Sequence, residues 1–240
     1  MALQIRKSAE RGYFDHGWLK TYHTFSFGDY VDLRHRNFRK LRVINEDRVA
    51  AGAGFPEHSH QDMEIVTTML HGTLAHQDSM GNRFLLNAGD VQRMSAGTGV
   101  THSEFNHSSD DTVHLLQIWI FPEKKGLPPS YEQRSFKTPD TGQEQPLTLL
   151  VSPDGRENSL KIHQDVFIYR GILPAGKSLS IPLLAERGMW IQLIEGTLKD
   201  SKKNLILDAG DGAAFENEPG NLSLQSAADT PANFLIFDLS

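Results

Sequence analysis

Polar and apolar positions along this 240-residue chain alternate in short runs, and nowhere is the spacing of a long amphipathic helix sustained. The runs Leu41–Ile44, Glu64–Leu70, Thr112–Phe121, Leu147–Val151, Met189–Ile194 and Phe234–Leu239 have the length and the β-branched and aromatic content of strands. Turn chemistry separates them: Met80-Gly81-Asn82, Ala88-Gly89-Asp90, Pro153-Asp154-Gly155, Ala209-Gly210-Asp211 and Pro219-Gly220-Asn221. Many short strands at close spacing predict an all-β sandwich or barrel.

The pattern repeats. Gly72-Thr73-Leu74 leads to Asn87-Ala88-Gly89-Asp90, and Gly196-Thr197-Leu198 leads to Asp208-Ala209-Gly210-Asp211. An apolar strand precedes each Gly-Thr-Leu, at Ile65–Leu70 and at Trp190–Ile194. Order and spacing both recur, so the chain is expected to hold two copies of one β-unit, over residues 1–130 and 131–240. The Pro-, Lys-, Glu- and Gln-rich segment Pro122–Gln145 reads as their connection, and residues 1–50 supply strands to either sheet.

Composition narrows the class. With 38% hydrophobic and 22% charged residues the chain is ordinary globular material. A net charge of −6 without a basic block argues against direct contact with nucleic acid. The absence of cysteine removes disulfides, thiolate zinc sites and iron–sulfur clusters, so any metal must be held by His and carboxylate. Met1–Lys7 lacks the apolar stretch of a secretory leader, and no apolar run reaches membrane-spanning length. A cytoplasmic protein with no membrane contact is expected.

Two pairs then stand out: His58-Ser59-His60 and His102-Ser103-Glu104. Strand residues two apart share a face, so each pair can aim two ligand atoms at one point. Three imidazoles and a carboxylate suit iron, nickel, copper, manganese or zinc. The same counts from the second Gly-Thr-Leu and Ala-Gly-Asp land on Pro182, Leu184, Ser223 and Gln225, none of them a good ligand. One metal site in the first unit and none in the second is therefore expected. His71, His76, His107 and His114 are read as mainly solvent-facing, while Phe55, Met80, Met94 and Phe105 fit pocket walls and core packing equally well.

The segment Gly54-Phe55-Pro56-Glu57-His58-Ser59-His60-Gln61-Asp62-Met63-Glu64 with Gly72 resembles the first cupin motif, and Asn87–Asp90 with Ser95–Glu104 resembles the second. Gly17-Trp18-Leu19, His23-Thr24-Phe25-Ser26-Phe27, Leu41–Asn45, Tyr131–Arg134 and His163-Gln164-Asp165 extend the likeness over nearly the whole chain, which resembles a pirin-family bicupin of the bacterial quercetin 2,3-dioxygenase type. The resemblance implies two tandem cupin (double-stranded β-helix, jelly-roll) barrels packed side by side. It implies one divalent transition metal per chain in the N-terminal barrel, Fe(II) first, with Ni, Co, Mn, Cu or Zn as alternatives. The ligands implied are His58, His60, His102 and Glu104, with Glu104 also the catalytic base. Glu64 follows His-x-His as the carboxylate ligand of the general cupin pattern does. It stands as the rival ligand, or as an acceptor orienting an imidazole N–H. The activity implied is oxidative ring cleavage of a flavonol-like aromatic with O2. The alternatives are a promiscuous metallo-oxygenase with another aromatic substrate and a redox-responsive regulator acting through a protein partner. A monomer is the expected state.

Overall fold

The computed structural model describes residues 3–136, 146–217 and 219–240. The strands of the first half are β1 (Leu3–Arg6), β2 (Gly12–Asp15), β3 (Leu19–His23), β4 (Leu41–Val49), β5 (Gly54–His60), β6 (Glu64–His71), β7 (Thr73–Asp78), β8 (Arg83–Asn87), β9 (Asp90–Ser95), β10 (Val100–Asn106), β11 (Val113–Ile120) and β12 (Ser130–Ser135). Those of the second are β13 (Leu147–Ser152), β14 (Leu160–Lys161), β15 (Val166–Leu173), β16 (Ser178–Leu183), β17 (Gly188–Glu195), β18 (Thr197–Asp200), β19 (Leu205–Asp208), β20 (Gly212–Glu216), β21 (Gly220–Ser226) and β22 (Ala232–Leu239). All six predicted strands form.

Each half builds one barrel from a seven-stranded and a four-stranded sheet. The first pairs β12-β9-β6-β11-β4-β3-β2 with β5-β10-β7-β8, and the second pairs β1-β20-β17-β22-β15-β13-β14 with β16-β21-β18-β19. The architecture is the double cupin barrel that the repeat and the motifs imply. The N-terminal segment serves both halves: β1 pairs with β20, while β2, β3 and β4 join the first large sheet. The segment read as a connection contains β12, which pairs with β9 on the first large sheet, and residues 137–145 of it lie outside the described residues.

The two large sheets pack against each other through one apolar cluster. Phe25, Leu116, Ile118 and Ile120 of the first half meet Leu150, Ile168, Trp190 and Phe237 of the second, with the Phe25 and Trp190 rings 4.9 Å apart. Inside the second barrel the filling is mainly aliphatic and aromatic, including Ile181, Leu183, Leu193, Leu222, Leu224 and Phe234. Inside the first, two smaller apolar clusters, one around Met69, Leu74 and Leu115 and one around Ile65, Met94 and Val100, leave room for buried polar residues. Those residues include Asn45, Asp47, Thr67, Gln92, His102 and Glu104.

Strand pairing corrects the counting between the halves. In the first barrel His102 pairs with His58 and Val100 with His60. In the second Leu222 pairs with Ile181 and Gly220 with Leu183. Burial along β10 and β21 matches when His102 is set on Leu222 and Glu104 on Leu224. The counterparts of the four ligands are therefore Ile181, Leu183, Leu222 and Leu224, one residue before Pro182, Leu184, Ser223 and Gln225. A one-residue difference in an intervening turn reverses strand parity, so the residues counted from sequence face outward. The conclusion hardens: the second barrel places four buried hydrophobic side chains where the first places His, His, His and Glu.

Candidate metal centre

β5 and β10 lie side by side and antiparallel, and they carry the two ligand pairs. The register shifts between His102 and Glu104, where Pro56 and Glu57 together oppose Ser103. Pro56 has no N–H to give a ladder, and a bulge is where a strand tolerates proline. The Pro56 carbonyl at the bulge accepts a hydrogen bond from His58 Nδ1 at 2.8 Å. That bond puts the proton of neutral His58 on Nδ1 and leaves Nε2 as a bare lone pair.

His58, His60 and His102 converge. Their ligand nitrogens lie within 4.8 Å of one another, and the ring centroids are 4.5 to 4.9 Å apart. His58 Nε2 and His102 Nε2 stand 3.1 Å apart. Two nitrogens bound to one first-row ion at about 2.1 Å each are separated by about 2.9–3.4 Å, so the spacing fits a shared ion. Burial lowers the pKa of His60 to about 4, helped by the neighbouring imidazoles, and burial likewise lowers His102 to about 4. Both rings are therefore neutral at pH 7, each with one nitrogen lone pair free to bind an ion. His102 Nδ1 is buried with no partner.

Glu104 is buried, and its ligand oxygen groups with His76 and His102 within the same 4.8 Å limit. His102 is common to both sets, and Glu104 shares its set with His102 and His76, not with His58 and His60. Gln92 Nε2 donates to Glu104 Oε1 at 2.6 Å and Gln117 Nε2 donates to Oε2 at 3.1 Å. Gln92 is held in turn, donating to Thr67 Oγ1 and accepting from the Tyr131 hydroxyl, both at 3.0 Å. Burial alone would raise the Glu104 pKa; His76, His102 and Gln92 outweigh it and hold the carboxyl below its usual range. The residues present fit a divalent transition metal: three converging imidazoles and, beside His102, one ionised, hydrogen-bonded carboxylate.

Glu64 lies elsewhere. Ser95 Oγ donates to its Oε2 at 2.9 Å, and His163 Nδ1 of the second half stands 3.5 Å from Oε1. Burial raises its pKa. Its shared parity with His60 does not carry across the corner at Asp62, whose φ of 49° ends one strand before β6 begins. Glu64 thus stands beside the His163 imidazole at the junction of the barrels; the ring Nδ1 bonds Ser95 Oγ, and the His163 backbone N–H donates to Glu64 Oε2.

His76 departs from the solvent-facing reading. Its ring is buried, its Nε2 lies 3.1 Å from Asp78 Oδ2, and its Nδ1 lies 3.9 Å from Glu104 Oε1. Burial opposes charge on His76, but Glu104 and Asp78 prevail and raise its pKa. His71 and His107 are exposed, as read, and the half-buried His114 bonds Glu46. Phe55 lines the cavity, Met94 is core, and Met80 and Phe105 are surface residues. Of the residues not foreseen, Gln92 and Gln117, only Gln117 had a signal, as a lone amide inside the otherwise apolar run Leu115–Ile118; Gln92 stands beside the charged Arg93.

The metal cluster opens on a cavity of about 460 Å³. Its walls include Phe14, Leu19, Phe27, Phe55 and Trp119, with His58 and His60 at the metal end. Thr21, His23, Asn45 and Asp47 line it too. Trp119 stands edge-on to His60 with ring centroids 5.0 Å apart, and its Nε1 donates to Gln117 Oε1. The volume and the apolar walls suit a flat aromatic molecule.

Residues 4–120 match the family described as pirin, and residues 149–239 match the quercetinase C-terminal cupin domain. The chain is 45% identical to quercetin 2,3-dioxygenase of Escherichia coli K12, over 99% of this chain and 98% of that one. It is 46% identical to a putative quercetin 2,3-dioxygenase of Pasteurella multocida, over 99% of each chain. Among solved structures, the E. coli pirin YhhW in complex with nickel(II) superposes with a TM-score of 0.91 at 45% identity, covering 99% of this chain and 98% of that one.

Proposed function

The chain belongs to the pirin family, and from that premise we propose that it is a metal-dependent dioxygenase opening the ring of quercetin-like flavonols with O2. The observation that carries the reading is the convergence of His58, His60 and His102, with Glu104 beside His102, next to an apolar cavity that His58 and His60 line. The names of the E. coli and Pasteurella relatives supply the reaction, and the nickel complex of the E. coli pirin supports a divalent metal. His58, His60, His102 and Glu104 would hold it, with Fe(II) as our assignment and nickel as its nearest rival.

The bound ion supplies Lewis acidity and a template for the reacting groups. The protein supplies the rest. Leu19, Phe27, Phe55 and Trp119 receive the flat rings and exclude water. A carboxylate oxygen of Glu104 takes the proton of the substrate hydroxyl, a transfer that needs direct hydrogen-bond reach. Gln92 and Gln117 fix the orientation of that carboxylate, and His76 faces it at 3.9 Å.

The test loads the purified protein in turn with iron, nickel, cobalt, manganese and copper and follows quercetin loss under oxygen. Turnover above that of the free ion is expected with at least one metal, falling about 100-fold or more in Glu104→Gln. No turnover with any metal would end this reading.

A further inference from the structure

Strands β3 and β4 give the cavity a row of polar side chains that the metal does not use. Thr21 pairs with Asp47 and His23 with Asn45 across the antiparallel register, so the four share one face, and all four line the cavity. Each is at least nine-tenths buried, with relative exposures of 3% for Thr21, Asn45 and Asp47 and 7% for His23. Thr21 Oγ1, His23 Nδ1, Asn45 Oδ1 and Asp47 Oδ1 are buried without a hydrogen-bond partner, four of the ten such atoms among the described residues.

One buried polar atom left unpaired costs about 1–3 kcal/mol. Native structures hold few of them, so four along one wall of one cavity point to a function outside folding. Their chemistry limits what completes them. The Asn45 and Asp47 oxygens accept hydrogen bonds, while the Thr21 hydroxyl and the neutral His23 ring can accept or donate, so hydroxyl groups, which do both, complete the row. An anion is disfavoured by the same carboxylate. The terminal torsions of Asn, Asp and His are broad, so these atoms can turn toward a ligand at little energy. Leu19, Phe27 and Trp119 line the same cavity and provide apolar surface for a ring carrying the hydroxyls. Asn45 pairs with Gln117 on β11, and Gln117 in turn holds Glu104, so the row lies one strand away from a residue that touches the metal-site carboxylate.

We infer that Thr21, His23, Asn45 and Asp47 form a hydroxyl-reading subsite, which binds the phenolic O–H groups of a polyhydroxylated aromatic and so sets which part of it meets the metal end. The flavonol identity of that aromatic rests on the dioxygenase reading; the subsite itself rests on the unpaired row.

The experiment measures anaerobic binding to the metal-free full chain by calorimetry, so that it reads recognition without turnover. The probes are quercetin, which carries several phenolic hydroxyls, and 3-hydroxyflavone, which keeps only the hydroxyl expected to meet the metal. Quercetin should bind about tenfold or more tighter. Thr21→Val and Asn45→Leu, each near-neutral in volume, should reduce that preference several-fold while leaving affinity for 3-hydroxyflavone within about twofold. Equal affinity of the wild type for the two flavonols, binding of neither, or an undiminished preference in both variants would overturn the subsite. If a variant folds poorly, the wild-type preference alone still decides. A clear preference in a protein that turns over no flavonol with any metal would retain the subsite and reject the dioxygenase; turnover with no preference would do the reverse.

Discussion

Two buried carboxylates of the first barrel behave in opposite ways, and the contrast lies in their partners. Glu104 is ionised because His76, His102 and Gln92 outweigh burial. Asp47 has no such support: burial pushes it up to about 7, with Glu104 and Glu46 adding to the rise. A carboxyl whose folded pKa is raised favours folding fully below its unfolded value, near 3.8, and that contribution is lost as pH rises through about 7. The full loss is up to about 4 kcal/mol. Asp47→Asn should therefore match the wild type in thermal stability near pH 4 and exceed it by several degrees near pH 8, both as metal-free protein. A difference that does not grow with pH would contradict the burial of an isolated carboxyl. The two pairs stood out in the chain because i, i+2 spacing on a strand is a strong geometric statement. Glu64 was ambiguous because parity says nothing across a left-handed residue such as Asp62. His76 was misread because its partner Glu104 meets it only through strand pairing.

Among the elements, the β5–β10 pair sets the geometry of the site. Direct pairing of His102 with His58 sets His58 and His60 on one strand and His102 and Glu104 on the other on one face of the sheet. Gly54 opposes Phe105 at the end of this pair, and a Cβ there would stand 2.3 Å from the Glu104 carbonyl oxygen and 2.5 Å from Phe105 Cα. Both are backbone atoms that cannot turn aside. Gly54→Ala should destabilise the protein by about 2 kcal/mol or more and weaken metal binding with it, as read by thermal melting and metal titration. Unchanged melting and affinity would show that this approach does not constrain the site. Strand positions were readable from apolar runs, but their register was not. Counting forward from a turn missed Ile181, Leu183, Leu222 and Leu224 by one residue, since turn length is free where side-chain burial is not. β12 was hidden because its residues, Ser130–Ser135, are polar and half-buried at a sheet edge.

For the whole molecule, duplication has separated two tasks. One barrel is filled with aliphatic side chains, and its twin gives up part of its core to hold ligands and a cavity. The apolar cluster spanning both large sheets and the β1–β20 pairing tie the halves together. The metal-free protein should therefore melt in one calorimetric transition, with calorimetric and van't Hoff enthalpies in agreement; two resolved transitions would show that the barrels fold separately. The account as a whole depends on a single metal centre made by His58, His60, His102 and Glu104. Its most direct test is elemental analysis of protein purified without a metal-affinity column, beside His58→Ala and His102→Ala prepared in the same way. About one equivalent of a divalent transition metal per wild-type chain, with near-complete loss in both variants, is the predicted result. Two equivalents per chain, or metal retained in the variants, would contradict it.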